Sequence, residues 1–357
     1  MTEPGTDDRR GGRRAVVAVL LLLATLTVTW WAVVRVTASS RVVGVHRAAA
    51  SAPVAGAASG SPAAADARPG ADAAPDTAGG PRDTVRVLAW NIAHVRGDLM
   101  QGSVQNFRAG DPEVRASRLA RIAAVIRGAD PDIVVLNEVD FDAAWSDGLN
   151  QARTLARALG ATTRVEQRNF DYSLLFADFA FGNAVLSRLP VGEVRPVSLP
   201  PMRRIEAALI GAKRAAAVEV RTAAGAIAVV PIHLEFRSER TRLAAVEALE
   251  AVRDDAPPTL LAGDFNTSPP GWPGVGPTTA VGQLLAAGWS SPRAAGDPDD
   301  AVLTFPSPDP RVAIDWVLAE PPLRILESRV IREAPELSDH LPVLAVVEVR
   351  AERETRD

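Results

Sequence analysis

The chain has 357 residues, 47% hydrophobic and 23% charged, so it carries enough apolar side chain for a sizeable core and is not disordered as a whole. A formal net charge of −4 excludes a strong overall basic field, so a nucleic acid or an anionic lipid would have to be held by local patches. Cysteine is absent, which excludes disulfides, thiolate nucleophiles and cysteine-ligated metal centres, and the only histidines are His46, His94, His233 and His340.

Residues 1–14 form a basic N-terminus with Arg9, Arg10, Arg13 and Arg14. From Ala15 to Val34, AVVAVLLLLATLTVTWWAVV runs without a charge. At about 1.5 Å per residue it covers roughly 30 Å of hydrocarbon, which predicts one transmembrane helix over 15–34. Trp30 and Trp31 suit a membrane interface, and the preceding arginines keep the N-terminus cytoplasmic. The expectation is a single-pass cell-membrane protein with its bulk extracytoplasmic. A cleaved signal peptide is the alternative, with small-residue sites at VTASS and RAAAS, although its apolar region is usually about 7–15 residues. Residues 35–83 are rich in Ala, Pro, Gly, Ser and Asp and poor in large apolar side chains. Such a segment cannot offset its ordering entropy and is expected to be a disordered linker.

Residues 84–350 alternate short apolar runs with amphipathic stretches, the pattern of one α/β domain, and a polar tail follows at 351–357. DPEVRASRLARIAAVIRGAD predicts a helix with Asp111 as N-cap, Pro112 in the first turn, and Val114, Leu119, Ile122 and Ile126 on one face. SERTRLAAVEALEAVRDD predicts another from Ser238, facing inward with Leu243, Val246 and Leu249. AAAVEVRTAAGAIAVVPIHLEF reads as two strands joined by a short turn, so part of the sheet is antiparallel.

Polar side chains recur at the ends of apolar runs. VRVLAWN ends at Asn91, PDIVVLNE at Glu138, IAVVPIH at His233, and TLLAGDFN at Asp264 and Asn266. VAIDWVLA embeds Asp315, and LSDHLPVLAVVEV opens with Asp339 and His340. One such ending is a turn; six indicate strand ends that converge on a polar site. Glu138 and Asp339, helped by Asn91, are oxygen donors of the kind Mg²⁺ or Mn²⁺ prefers, and no HExxH or Cys₂His₂ set points to zinc. Asp315 among Val312, Ile314, Trp316 and Leu318 would be costly to bury unpaired, and a histidine is its natural partner.

Taken in order, VLAWNI, VVLNEV, GNAVLSRLP, IHLEF, LLAGDFN, IDWVLA and SDHLPV resemble the motifs of the endonuclease/exonuclease/phosphatase superfamily, the deoxyribonuclease-I-like metal-dependent hydrolases. The resemblance spans Val85 to Val349, with GDFN and SDHLPV its most specific pieces. It implies two packed mixed β-sheets flanked by helices, with the site at one end of the sandwich. It also implies that Glu138 binds a divalent metal, Mg²⁺ or Mn²⁺, with Asn91 and Asp339 in support. Asp264 and Asn266 would orient the attacking water and hold the phosphoryl group. His340, paired with Asp315, would serve proton transfer or charge stabilisation, and His233 would touch the phosphate or the leaving group. Asn137 departs from the family's usual Gln before the metal-binding Glu, a change expected only behind the site.

The implied activity is hydrolysis of a phosphodiester, of nucleic acid or of a phospholipid head group, by a monomer. A phosphomonoesterase of the inositol-phosphate kind and a non-catalytic binding protein on the same scaffold are the alternatives. Weaker signals are Asn183, the basic groups Arg203, Arg204, Lys213 and Arg214, and Arg237, Arg240 and Arg242, for all of which a strand start or a solvated face serves as well. His94 is read as a loop residue, and Tyr172 is the only tyrosine.

Overall fold

A computed structural model describes residues 16–31, 43–48, 82–97, 111–174, 177–200, 213–251, 253, 256–296 and 298–350. Helix α1 covers residues 16–31 with exposed apolar side chains. No helix among the described residues is long and apolar enough to cross a membrane. Ala15 and residues 32–34 of the expected span lie outside the described residues, as do the basic N-terminus and the tail.

Part of the expected linker is a strand. Within 35–83, Val43–Arg47 form strand β1 and pair antiparallel with β4, Thr163–Leu174, from Val43 opposite Gln167 to Arg47 opposite Thr163. The composition of the whole segment hides VVGVHR, whose valines suit a strand once an open sheet edge is available. Residues 49–81 lie outside the described residues.

Beyond β1 the strands are β2 (Arg82–Asn91), β3 (Ile133–Asp140), β4, β5 (Ala177–Ser187), β6 (Val191–Ser198), β7 (Arg214–Thr222), β8 (Gly225–His233), β9 (Thr259–Asp264), β10 (Asp315–Ala319), β11 (Arg324–Val330) and β12 (Val343–Arg350). They build a seven-stranded sheet ordered β1-β4-β5-β3-β2-β12-β11 and a five-stranded sheet ordered β10-β9-β8-β7-β6. Each is mixed: β2 with β3 and β8 with β9 are parallel, and the other pairs antiparallel. The expected hairpin is β7–β8, closed by the turn at Ala223 and Ala224.

Alternation sends one set of side chains inward and the other toward helices. Val87, Ile133, Val135, Val218, Val229, Leu260, Val317 and Val343 fill the space between the sheets. On the outer face of the seven-stranded sheet, Leu88, Trp90 and Leu136 pack against α2 (Pro112–Ala129) and α3 (Gln151–Leu159). On the outer face of the other, Leu261, Trp316 and Leu318 pack against α4 (Glu239–Glu250) and α5 (Ala280–Ala286). Two mixed sheets flanked by helices are the architecture the motifs imply.

The helix starts follow their caps. The Asp111 side chain accepts from the Glu113 N–H at 2.9 Å, and Ser238 accepts from the Thr241 N–H at 3.3 Å. Arg115, Leu119, Ile122 and Ile126 of α2 are buried on one face, whereas Val114 stays 51% exposed, because at about 100° per residue it is rotated off that face.

Candidate active site

Asn91, Glu138, His233 and Asp264 stand at or near the C-terminal ends of two pairs of parallel strands, one pair in each sheet. At Glu138 the β3–β5 register shifts between Leu136 and Val139, and Glu138 takes a φ of +53°, a left-handed conformation at a bulge. The carboxylate is thereby turned toward the gap between the sheets. Asn91 Nδ2 spans the two sides, donating to Glu138 Oε1 at 3.3 Å and to Asp264 Oδ2 at 3.2 Å. Its own oxygen accepts from the Ala93 N–H at 3.1 Å, which fixes the amide's orientation.

Asp264 is buried, and its Oδ1 accepts the Asn266 N–H at 2.9 Å. Asn266 also has a left-handed φ of +53° and donates from Nδ2 to the Leu234 carbonyl at 3.1 Å. Between the motif's strand and its turn, Gly263 has φ +135°; a Cβ there would stand 2.2 Å from the Ile232 carbonyl oxygen and 2.7 Å from Asn137 Oδ1. Behind Asp264, Asn137 is buried and donates to Asn183 Oδ1 at 2.9 Å, and Asn183 in turn donates to Gln167 Oε1. Asn183 thus supports the site from behind, as does the residue at the position where this chain departs from the family's pattern.

His340 is fixed from both ends. Its Nδ1 lies 2.9 and 3.1 Å from the two oxygens of buried Asp315, and its carbonyl accepts the Trp90 indole N–H at 2.9 Å. Phe305 covers the ring at 4.7 Å between centroids. The remaining nitrogen, Nε2, faces Asp264 Oδ2 at 3.9 Å and Asp339 Oδ1 at 4.0 Å. Burial disfavours the imidazolium, but the charges of Asp315 and Asp264 outweigh it and raise the pKa to about 10. His340 is therefore a cation at neutral pH.

The surrounding groups follow the same physics. Burial raises Asp264; the His340 cation works against it and Asp315 with it, and the balance is about 7. For Asp339 burial likewise raises the pKa, with His340 opposing and Glu138 adding to it. Burial works to raise Glu138 too, yet His94, His233, His340 and Lys213 together bring it down to about 2, so it stays ionised. His233 Nε2 lies 3.7 Å from Asp264 Oδ2 and 3.8 Å from Glu138 Oε1. Burial and then the Lys213 charge push its pKa well below the ordinary histidine value, and it is neutral at neutral pH.

Two residues at the site were undervalued by the sequence. His94 Nδ1 lies 2.6 Å from Asp140 Oδ1 and its Nε2 3.5 Å from Glu138 Oε2, a second histidine–aspartate pair on the far side of Glu138. Ala93, His94 and Val95 all have positive φ, so a contorted loop carries it in; no periodicity signals this. Half-buried Lys213 senses the charges of Glu138 and Asp264. Of the other weak signals, Arg242 is tied to Glu239 at 2.7 Å and to the Glu235 carbonyl, a structural role. Arg203 and Arg204, and the side chain of Tyr172, lie outside the described residues.

Two groups suit a cation unequally. Asp264, Asp315 and His340 offer ligand atoms within 4.8 Å of one another, a set that could hold a metal ion. Both Asp315 oxygens, however, already lie against the His340 ring. Glu138 is ionised, its side chain is 30% exposed, and its neighbours stand back at 3.3 to 3.8 Å, which leaves lone pairs for a hard cation. Glu138 is thus the carboxylate here whose oxygens suit a divalent metal, and Asp339 lies near enough to sense its charge.

The model of the Endonuclease/Exonuclease/phosphatase family matches residues 88–340. An endonuclease/exonuclease/phosphatase from Beutenbergia cavernae is similar at 24% identity, covering 75% of this chain and 72% of its own, with TM-score 0.55. A family protein from Leptotrichia buccalis is 17% identical over 74% of this chain and 100% of its own, with TM-score 0.52. ANGEL2, a 2′,3′-cyclic phosphatase, is 18% identical over 75% of this chain and 96% of its own, with TM-score 0.52. At these identities the likeness shows the fold. No curated protein matches the chain. The matched span takes in all the strand-end residues that meet at the site, and the chain belongs to the Endonuclease/Exonuclease/phosphatase family of phosphate-ester hydrolases.

Proposed function

We propose that the chain is a membrane-anchored, divalent-metal-dependent phosphodiesterase that cleaves by in-line attack of water on phosphorus. The observation that carries this reading is one cluster in which cationic His340 and neutral His233 both stand within 4 Å of Asp264, and His233 within 4 Å of ionised Glu138. The substrate is a nucleic acid or a phospholipid head group, and the enzyme acts as a monomer. Exposed apolar α1 and the basic residues before it support a single-pass anchor in the cell membrane with the catalytic domain extracytoplasmic.

The oxygens of Glu138 and Asp339, with Asn91 in support, would hold Mg²⁺ or Mn²⁺. When bound, the metal supplies Lewis-acid stabilisation of the charge on phosphate oxygens. His340, kept protonated by Asp315, donates from Nε2 to a non-bridging oxygen as charge builds there. Asp264 orients the attacking water and accepts its proton, and Asn91 and the Asn266 backbone hold that carboxylate in place. Asn266 helps hold the phosphoryl group, and His233 stands where it can contact the ester oxygen of the leaving group.

The test uses the full chain purified in detergent. Bis(4-nitrophenyl) phosphate, DNA and a short-chain phospholipid are offered side by side with Mg²⁺, then with chelator. Metal-dependent turnover of a diester is expected, and the faster substrate names the class. Turnover of monoesters alone removes the diester reading, and no metal-dependent turnover of any substrate removes the whole proposal.

A further inference from the structure

Far along the seven-stranded sheet, at its β1 edge, lies a cavity of about 720 Å³ walled by β1, β4 and the end of α3. Its charged and titratable lining is basic throughout: His46, Arg47, Arg153, Arg157 and Arg164. Arg153 is neutralised by Asp142 at 2.6 Å and Arg164 by Glu166 at 2.8 Å. Glu166 lies behind the wall and is shared with Arg168 and Asn150. Among the described residues, Arg157 forms no ion pair, and Arg47 donates only to the Val191 carbonyl, at 3.3 Å. Two guanidinium groups without acid partners among the described residues thus face one cavity, and Arg is the side chain best shaped for phosphate.

The position of the cavity matters as much as its charge. Pairing of β1 leaves eleven residues, 32–42, between apolar α1 and the sheet. At about 3.3–3.6 Å per residue they reach at most about 40 Å. A chain anchored through α1 therefore keeps the β1 edge, with its cavity, close to the head groups of that membrane.

We infer that this cavity takes the phosphate of an anionic phospholipid head group, so that the domain docks on its membrane through Arg47 and Arg157. The inference rests on the membrane-anchor reading for the source of the lipid, while the cavity itself can be tested apart from it.

The full chain in detergent is titrated calorimetrically with dihexanoyl phosphatidylglycerol, dihexanoyl phosphatidylcholine and inorganic phosphate. Saturable binding of the glycerol lipid in preference to the other two is expected. Arg157→Gln and Arg47→Gln should each weaken it roughly tenfold, the scale of one lost charge-assisted contact. Both should keep the activity on bis(4-nitrophenyl) phosphate, which also shows that they fold. His340→Ala should leave the lipid binding unchanged, which separates the cavity from the catalytic pocket. No lipid binding, equal binding of free phosphate, or binding untouched by either arginine variant overturns the inference. If cells release the protein cleaved near Ala38 or Ala50 while the lipid still binds, the anchor reading fails and the cavity stands.

Discussion

Asn137 Oδ1, on one sheet, accepts the backbone N–H of Asp264, on the other, at 3.0 Å. The bond fixes the distance between the strand that carries Glu138 and the strand that carries Asp264. Asn137→Leu leaves that N–H and the Asn183 carboxamide oxygen buried without their partner. The expected loss is roughly 1–3 kcal/mol of stability for the unmade bond, read by urea unfolding, with activity falling as well. Unchanged stability and rate would show that the sheets are set by packing alone.

His94, oriented by Asp140 at 2.6 Å, stands with its Nε2 3.5 Å from one oxygen of Glu138. Partners of this kind typically contribute 10–100-fold to metal affinity or activity. His94→Ala should therefore weaken the Mg²⁺ dependence of the rate by roughly 10–100-fold, with His94→Gln recovering part of it. A variant with wild-type metal dependence would make His94 a packing residue.

The His340–Asp315 pair gives stability a pH dependence. The folded pKa of His340 is raised to about 10, against about 6.5 for an ordinary histidine. The pair's contribution is fully present below about pH 6.5 and is lost as pH rises through the folded value near 10. Urea midpoints measured from pH 6 to 10 should fall over that window, and His340→Asn should flatten the fall. A slope that survives the substitution would assign the effect to other groups.

Gly263 is the most constrained backbone position at the site. A methyl group meets the Ile232 carbonyl at 2.2 Å in a left-sided φ of +135°. Gly263→Ala is expected to cost more than about 3 kcal/mol, since strain and overlap add. Thermal unfolding would show this directly, and a loss below about 1 kcal/mol would mean that β8 and β9 adjust freely.

Most of the site was legible because its residues sit where apolar runs stop. Asn91, His233 and Asp264 all close strands, and a strand end names its own polar residue. The Asp315–His340 pair was legible for a different reason: an acid among Val312, Ile314 and Trp316 needs a partner, and a histidine is the best available. His94 escaped because a loop delivers it through left-handed backbone that carries no periodicity, and Lys213, directly before β7, was one basic residue among several for which a solvated face served as well. β1 escaped because five residues of strand within an Ala- and Pro-rich stretch are too few to stand out, and the open edge of β4 that stabilises them is not visible in the sequence. Val114 was assigned to the α2 face by its apolar character, although its neighbour Arg115 occupies that face in the first turn and Val114 is rotated off it.

The pairing of β1 with β4 also alters what a cut in the chain would do. A protease acting between residues 49 and 81 would sever the covalent path from α1 to the catalytic domain without freeing it, because β1 would remain as a strand of its sheet. Release would then await the unpairing of five residues, and the attachment of the domain to α1 becomes a reversible association within one molecule.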